Sequence, residues 1–173
     1  MLISYLSART GLLKFKDFSI SEPGQEEETV TRLTRVGFDN LVGHLKGGFD
    51  AWKNAGKETD IVNRISATQF AAEVKIGESK VIDVRKKSEY EAEHVDEAYS
   101  RPLADINNWT KDINPDEHFY VHCAGGYRSM MAASILLARG YRNFTEIEGG
   151  FKAIAETTIP KTDFVCQSKV MKA

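Results

Sequence analysis

The chain has 173 residues, with 23 lysines and arginines against 25 aspartates and glutamates and a formal net charge of −2. At 42% hydrophobic and 28% charged residues it has the composition of a globular protein, not of a disordered or membrane-embedded one. The near balance of charge leaves no basic footprint for nucleic acid or for an anionic membrane. A domain of this size buries roughly 70% of its unfolded surface and needs no covalent staple. Two cysteines, Cys123 and Cys166, are too few for a disulfide framework and fit a reducing compartment. His44, His94, His118 and His122 show no paired ligand spacing, and no cysteine cluster supports zinc. No metal and no organic cofactor is expected. The apolar opening Met1 to Leu6 is short, lacks a preceding basic region and runs into Arg9 and Lys14. It reads neither as a signal peptide nor as a membrane span, so the cytoplasm is the expected location.

Strand-like and helix-like segments alternate, the pattern of an α/β architecture with a largely parallel sheet. Residues 18–20 predict a short strand, and Glu22-Pro23-Gly24 a turn. Residues 25–36 predict a helix, with Glu26, Glu27 and Glu28 in its first turn, Arg32 and Arg35 near its end and Gly37 as its stop. Residues 40–45 predict a strand and 48–55 a short helix. A polar connection follows, and a second series begins near Ile61. Ser66 is placed to cap a helix over 67–74. The run 80–84 is apolar and short, as in a buried strand. A short helix is expected over 88–92, a strand over 98–100, a turn at Pro102 and a strand over 119–122. Residues 129–139 are apolar nearly all the way round, which predicts a helix buried on most of its surface. Gly140 ends it, and 144–147 is a last strand.

The two series are related. Val36-Gly37-Phe38-Asp39-Asn40-Leu41 matches Arg139-Gly140-Tyr141-Arg142-Asn143-Phe144, and Gly47-Gly48-Phe49-Asp50-Ala51 matches Gly149-Gly150-Phe151-Lys152-Ala153, one residue out of register. Both therefore read as helix, glycine stop, strand, Gly-Gly-Phe, helix. The front of the first copy is missing, so residues 1–60 are expected to form a partial unit, 61–160 a complete domain and 161–173 a tail.

The chemistry is concentrated in Val121-His122-Cys123-Ala124-Gly125-Gly126-Tyr127-Arg128-Ser129. A strand delivers Cys123 into a loop with two adjacent glycines, and a helix follows at once. Glycines let successive backbone N–H groups converge on one point, and a helix start adds unpaired N–H groups and partial positive charge. A thiol at that focus is expected to ionise below its ordinary value of about 8.5, and a persulfide anion formed on it would be held by the same donors.

With Asp83-Val84-Arg85 and Glu89-Tyr90 upstream, this loop resembles the rhodanese family of sulfurtransferases over residues 65–159. The resemblance implies a rhodanese-like three-layer α/β fold with a largely parallel central sheet. It implies that Cys123 is the nucleophile that carries a sulfane sulfur as a persulfide. Ala124, Gly125, Gly126, Tyr127, Arg128 and Ser129 then form the substrate-binding loop, and Asp83 and Arg85 brace it from beside. Glu93-His94-Val95-Asp96-Glu97-Ala98 falls where the family has Gly-His-Ile-Pro-Gly-Ala, departing at Glu93, Asp96 and Glu97. The truncated first copy is similar to the end of a second, silent unit, since its loop Ser21-Glu22-Pro23-Gly24-Gln25 has no cysteine. Half a silent unit before an active one is similar to the C-terminal portion of persulfide dioxygenase–rhodanese fusions, whose His-rich iron motif is absent from this sequence.

The expected activity is transfer of a sulfane sulfur from thiosulfate or a thiol persulfide to a thiol or cyanide. A non-catalytic sulfur carrier serving a separate partner domain, such as a persulfide dioxygenase, is the alternative. A cysteine phosphatase is disfavoured: four residues separate Cys123 from Arg128 where those enzymes place five, and no carboxylate is evident to protonate a leaving alkoxide. Arg128 is as apt to cover the helix start as to bind an anion. His122 should face away from the nucleophile and serve in support. Tyr127 is expected at the pocket mouth, Cys166 as an incidental exposed thiol, and Trp52 and Trp109 as core or contact aromatics. A half-unit with an open sheet edge favours a homodimer.

Overall fold

The computed structural model describes residues 17–35 and 41–166. The chain divides into two compact units, Met1–Asp60 and Ile61–Ala173. In the first, β1 (Asp17–Ser19) and β2 (Leu41–His44) form a parallel pair. They are joined through α1 (Glu26–Thr34) and followed by α2 (Gly48–Asn54). The three glutamates of α1 lie at its positive end, and Arg32 pairs with Glu28 one turn back. The expected stop at Gly37 and the strand start at Asn40 lie outside the described residues.

The second unit is a five-stranded sheet in the order β3-β7-β6-β4-β5, parallel throughout. Its strands are β3 (Arg64–Ile65), β4 (Lys80–Asp83), β5 (Tyr99–Ser100), β6 (Phe119–His122) and β7 (Phe144–Ile147). The helices are α3 (Ala67–Glu73), α4 (Lys87–Ala92), α5 (Ile106–Trp109), α6 (Tyr127–Ala138) and α7 (Gly150–Ile154). Parallel strands need crossovers, and the helices that supply them cover both faces of the sheet. Side chains alternate across each strand. Ile82, Val84, Phe119, Val121, Cys123 and Phe144 pack with Ala132, Ala133, Leu136 and Leu137 of α6. On the other face Val81 and Ile147 pack with Phe70 of α3 and Phe151 and Ile154 of α7. This is the expected α/β fold with a parallel central sheet.

Two local expectations are revised. Helix α6 is buried along one stripe only, Ser129, Ala132, Ala133, Leu136 and Leu137, while Met131 and Ser134 face outward. It lies against one sheet face, which covers a single side of a helix. Residues 103–112 form α5 flanked by two 3-10 turns, where only the Pro102 turn was anticipated. Ile106 and Trp109 seal the core there, and the Trp109 indole N–H donates to the Pro102 carbonyl at 2.9 Å. Past α7, the chain lies against residues 92–96. Asp96 N–H donates to Pro160, Thr162 N–H to His94, and Val165 N–H to Ala92.

Ser66 caps α3 as its sequence position suggests, accepting the Gln69 N–H at 3.1 Å. The repeated Gly-Gly turn has the same backbone in both units. Gly47 and Gly48 have φ of +83° and +57°, Gly149 and Gly150 of +74° and +58°. A Cβ on Gly48 would collide with the carbonyl oxygen of Ser21, and one on Gly150 with that of Cys123. Ser21 in the first unit thus stands where Cys123 stands in the second.

Candidate active site

In a parallel α/β sheet the strand ends at the carboxyl edge bring loops and helix starts together. Cys123 leaves β6 at that edge, buried to 1% exposure. Gly126 follows with φ +98°, a left-handed conformation that turns its own N–H back toward the sulfur. That N–H donates to Cys123 Sγ at 3.1 Å. The second group on the sulfur is the Ser129 hydroxyl, at 3.4 Å from the first turn of α6. The anticipated convergence of several amides on the sulfur is therefore replaced by one amide and one hydroxyl.

Behind the loop, α7 holds the backbone. Phe151 N–H donates to the Cys123 carbonyl at 2.6 Å and Lys152 N–H to that of Ala124 at 3.0 Å. These are donors a helix start leaves without intrahelical partners, and the close approach requires that residue 150 carry no side chain.

Asp83 and Arg85 form a buried pair. Arg85 Nε donates to Asp83 at 2.8 Å and Nη2 lies 2.6 Å from the same carboxylate, while Nη2 also donates to the Glu93 carbonyl. The Arg85 guanidinium stacks 4.0 Å over the Phe151 ring. Their link to the cysteine loop runs through Phe151, whose N–H grips Cys123. His122 is fully buried on the face opposite Cys123. Its Nδ1 lies 3.3 Å from the Cys123 carbonyl, and its Nε2 finds no hydrogen-bond partner among the described residues, with Asp83 at 4.0 Å. Burial pushes its pKa down, only partly opposed by Asp83, and so disfavours the charged ring.

Arg128 does not point its charge at open space. It makes a two-pronged pair with Glu89 of α4, at 2.6 and 2.8 Å, and this hydrogen bonding holds the Glu89 carboxyl down at about 2. Tyr127 and Gly125 are exposed, Ala124 is half-buried, and Gly126 and Ser129 are buried. Cys166 is exposed, Trp109 lies in the core, and Trp52 donates to the Glu58 carbonyl.

Sequence reasoning missed Glu146. This residue of β7 is wholly buried, accepts from Ser129 Oγ at 2.6 Å and pairs with Arg64 of β3 at 2.8 Å. The available signal was an acid at a strand position whose alternation, set by Phe144, points inward. Among the described residues no group of three or more His, Cys, Asp or Glu is placed to hold a metal ion. No described helix is long and apolar enough to cross a membrane.

The family model for the rhodanese-like domain matches residues 66–157, just over half of the chain and all of the cysteine loop. The chain belongs to the rhodanese-like domain family. Among its relatives is a Bacillus subtilis (strain 168) protein named "Putative sulfur carrier protein YrkF", 29% identical over 62% of this chain and 56% of that protein. A second from the same organism, "Uncharacterized protein YqhL", is 32% identical over 51% of this chain and 72% of the relative. The chain thus spans little more than half the length of the first of them. Among solved structures, a rhodanese-related protein from Thermoplasma volcanium matches with a TM-score of 0.53 and 26% identity, over 58% of this chain and 97% of that one. A rhodanese-like domain from Anabaena sp. matches with a TM-score of 0.54 and 22% identity, over 60% and 81%; it speaks to the fold alone.

Proposed function

We propose that this chain is a sulfurtransferase working by double displacement through a Cys123 persulfide. The observation that carries this reading is the buried Cys123 sulfur at the head of α6, with the Gly126 amide donating to it. The Cys123 sulfur attacks the outer sulfur of thiosulfate or a thiol persulfide, and sulfite or a thiol leaves with the electron pair. A thiol or cyanide then attacks the outer sulfur, and the electron pair returns to Cys123. The residues of the loop, Ala124 to Ser129, surround the transferred atom, and Asp83 and Arg85 keep the loop in place through Phe151. No metal or cofactor enters this scheme.

Because Glu89 neutralises Arg128, a doubly charged donor gains little from that guanidinium. A thiol persulfide is therefore used at least as well as thiosulfate; a hundredfold preference for thiosulfate in steady-state rates would overturn this choice of donor. Donor treatment followed by intact-mass spectrometry is expected to add one sulfur atom. The same treatment of Cys123→Ser should add none, and transfer by that variant within tenfold of the parent would refute the assignment.

A second reading, a sulfur carrier without turnover of its own, is favoured by the name of the YrkF relative. Both readings predict the mass gain, and only multiple turnovers with a free acceptor belong to the enzyme. A cysteine phosphatase would instead turn over an aryl phosphate. The wider setting we propose is cytoplasmic, as a homodimer, with a persulfide dioxygenase as the partner that shares the thiol persulfide.

A further inference from the structure

The sulfur-transfer reading leaves one buried ionisable group without a task. Glu146 is fully enclosed, one carboxylate oxygen is held by Arg64 Nε at 2.8 Å, and the other lies 2.6 Å from Ser129 Oγ. Ser129 Oγ is in turn 3.4 Å from Cys123 Sγ and 3.0 Å from the Gly126 carbonyl. A hydroxyl has one proton and two lone pairs. When it donates to Glu146, its lone pair is available to a Cys123 S–H; when it donates to a sulfur anion, its lone pair accepts from a protonated Glu146. The three groups are a line along which one proton can sit at either end.

We propose, resting on the sulfur-transfer reading, that Glu146 is a positioning residue that stores the Cys123 proton through Ser129 while the sulfur is carried. In this scheme the resting Cys123 is a thiol, not the anion its sequence setting suggests, and Glu146 is a carboxylate. As Sγ attacks the outer sulfur of thiosulfate, the S–H proton passes to Ser129 Oγ and the Ser129 proton to Glu146 Oε1. The bond between the two donor sulfurs breaks, and sulfite leaves with its electron pair. The persulfide anion then accepts from Ser129, and Ser129 accepts from Glu146. When cyanide takes the outer sulfur, the electron pair returns to Sγ and both protons run back. Nothing is oxidised, and the Cys123–Glu146 pair keeps one negative charge throughout.

The surroundings favour that constancy, because a second unpaired negative charge in a buried site is costly. From β3, Arg64 supplies the positive charge facing Glu146, and it is shared with Glu148 at 3.0 Å. From α6, Arg128 is paired with Glu89 of α4. From β4 and its end, Asp83 is paired with Arg85, and from β6 His122 is fully buried on the opposite face with its Nδ1 near the Cys123 carbonyl. Arg64 thus offsets one negative charge of the pair, and among these groups no other cation is left to offset a second.

Infrared difference spectroscopy on the whole chain tests this. Loading with thiosulfate should produce the stretch of a protonated, buried carboxyl, shifted by deuterium oxide, and discharge with cyanide should erase it. In Glu146→Gln the band should be absent. In Ser129→Ala, which leaves the buried ion pair in place, loading should proceed without the band and at least about tenfold more slowly. A protein that gains the sulfur atom by mass but shows no such band overturns the proton store alone. A protein that gains no sulfur by mass from thiosulfate or from a thiol persulfide overturns the transfer reading and the proton store with it.

Discussion

Glu97 has φ +62°, a left-handed conformation in a residue with a side chain, at a position where the family pattern has glycine. Such a conformation costs an L-residue about 1 kcal/mol or more, so Glu97→Gly should raise the unfolding free energy by about 1 kcal/mol in urea titrations. His122 makes stability depend on pH in a definite direction. Its folded pKa lies below the unfolded value of 6.5, so below 6.5 the unfolded chain binds a proton that the folded one refuses. The contribution is complete above 6.5 and is lost as pH falls toward the depressed folded value. Denaturation curves should weaken over that window, and His122→Gln should flatten the slope. Glu89 acts in the same direction lower down, between 4.5 and about 2. Solvent screening keeps that pair to less than about 1 kcal/mol.

At the scale of elements, the site is a strand end held between two helices. The N-terminus of α6 meets the sulfur, and that of α7 meets the carbonyls behind it. The Gly149-Gly150 turn makes this possible, and Gly150→Ala should cost more than about 2 kcal/mol, since both steric overlap and positive φ oppose a side chain. It should also abolish sulfur loading. Gly77→Ala is the control: its φ is +83° and a methyl group there would meet open space, so it should lose only about 1 kcal/mol and load normally. Strand β4 was legible because a buried parallel strand is a short apolar run between turn residues. Strand β3 was not, because two residues become a strand only by pairing with β7. The Cys123 loop was legible because glycines, a cysteine and a helix start lie next to one another in the chain. Glu146 and the partner of Arg128 were not, because each contact joins residues far apart in sequence, and an isolated acid in a strand ordinarily faces water.

Over the whole molecule, the two units differ in what supports them. The first has a two-stranded sheet with Phe18 and Val42 exposed, and a pair of strands is marginal by itself. The second has five strands covered on both faces. Hydrogen exchange should therefore find β1 and β2 amides exchanging well before those of β4, β6 and β7. The described groups of the site, from Arg64 to Lys152, belong to the unit Ile61–Ala173. A chain shortened to 61–173 should accordingly load sulfur at a rate within about threefold of the parent, by intact-mass time course. The grip of α6 on the Cys123 sulfur and of α7 on the carbonyl of the same residue has a kinetic corollary. Order at the reacting atom is established once, when the chain folds, so each turnover begins from a seat already shaped, and the temperature dependence of loading should reflect bond-making and not rearrangement of the loop.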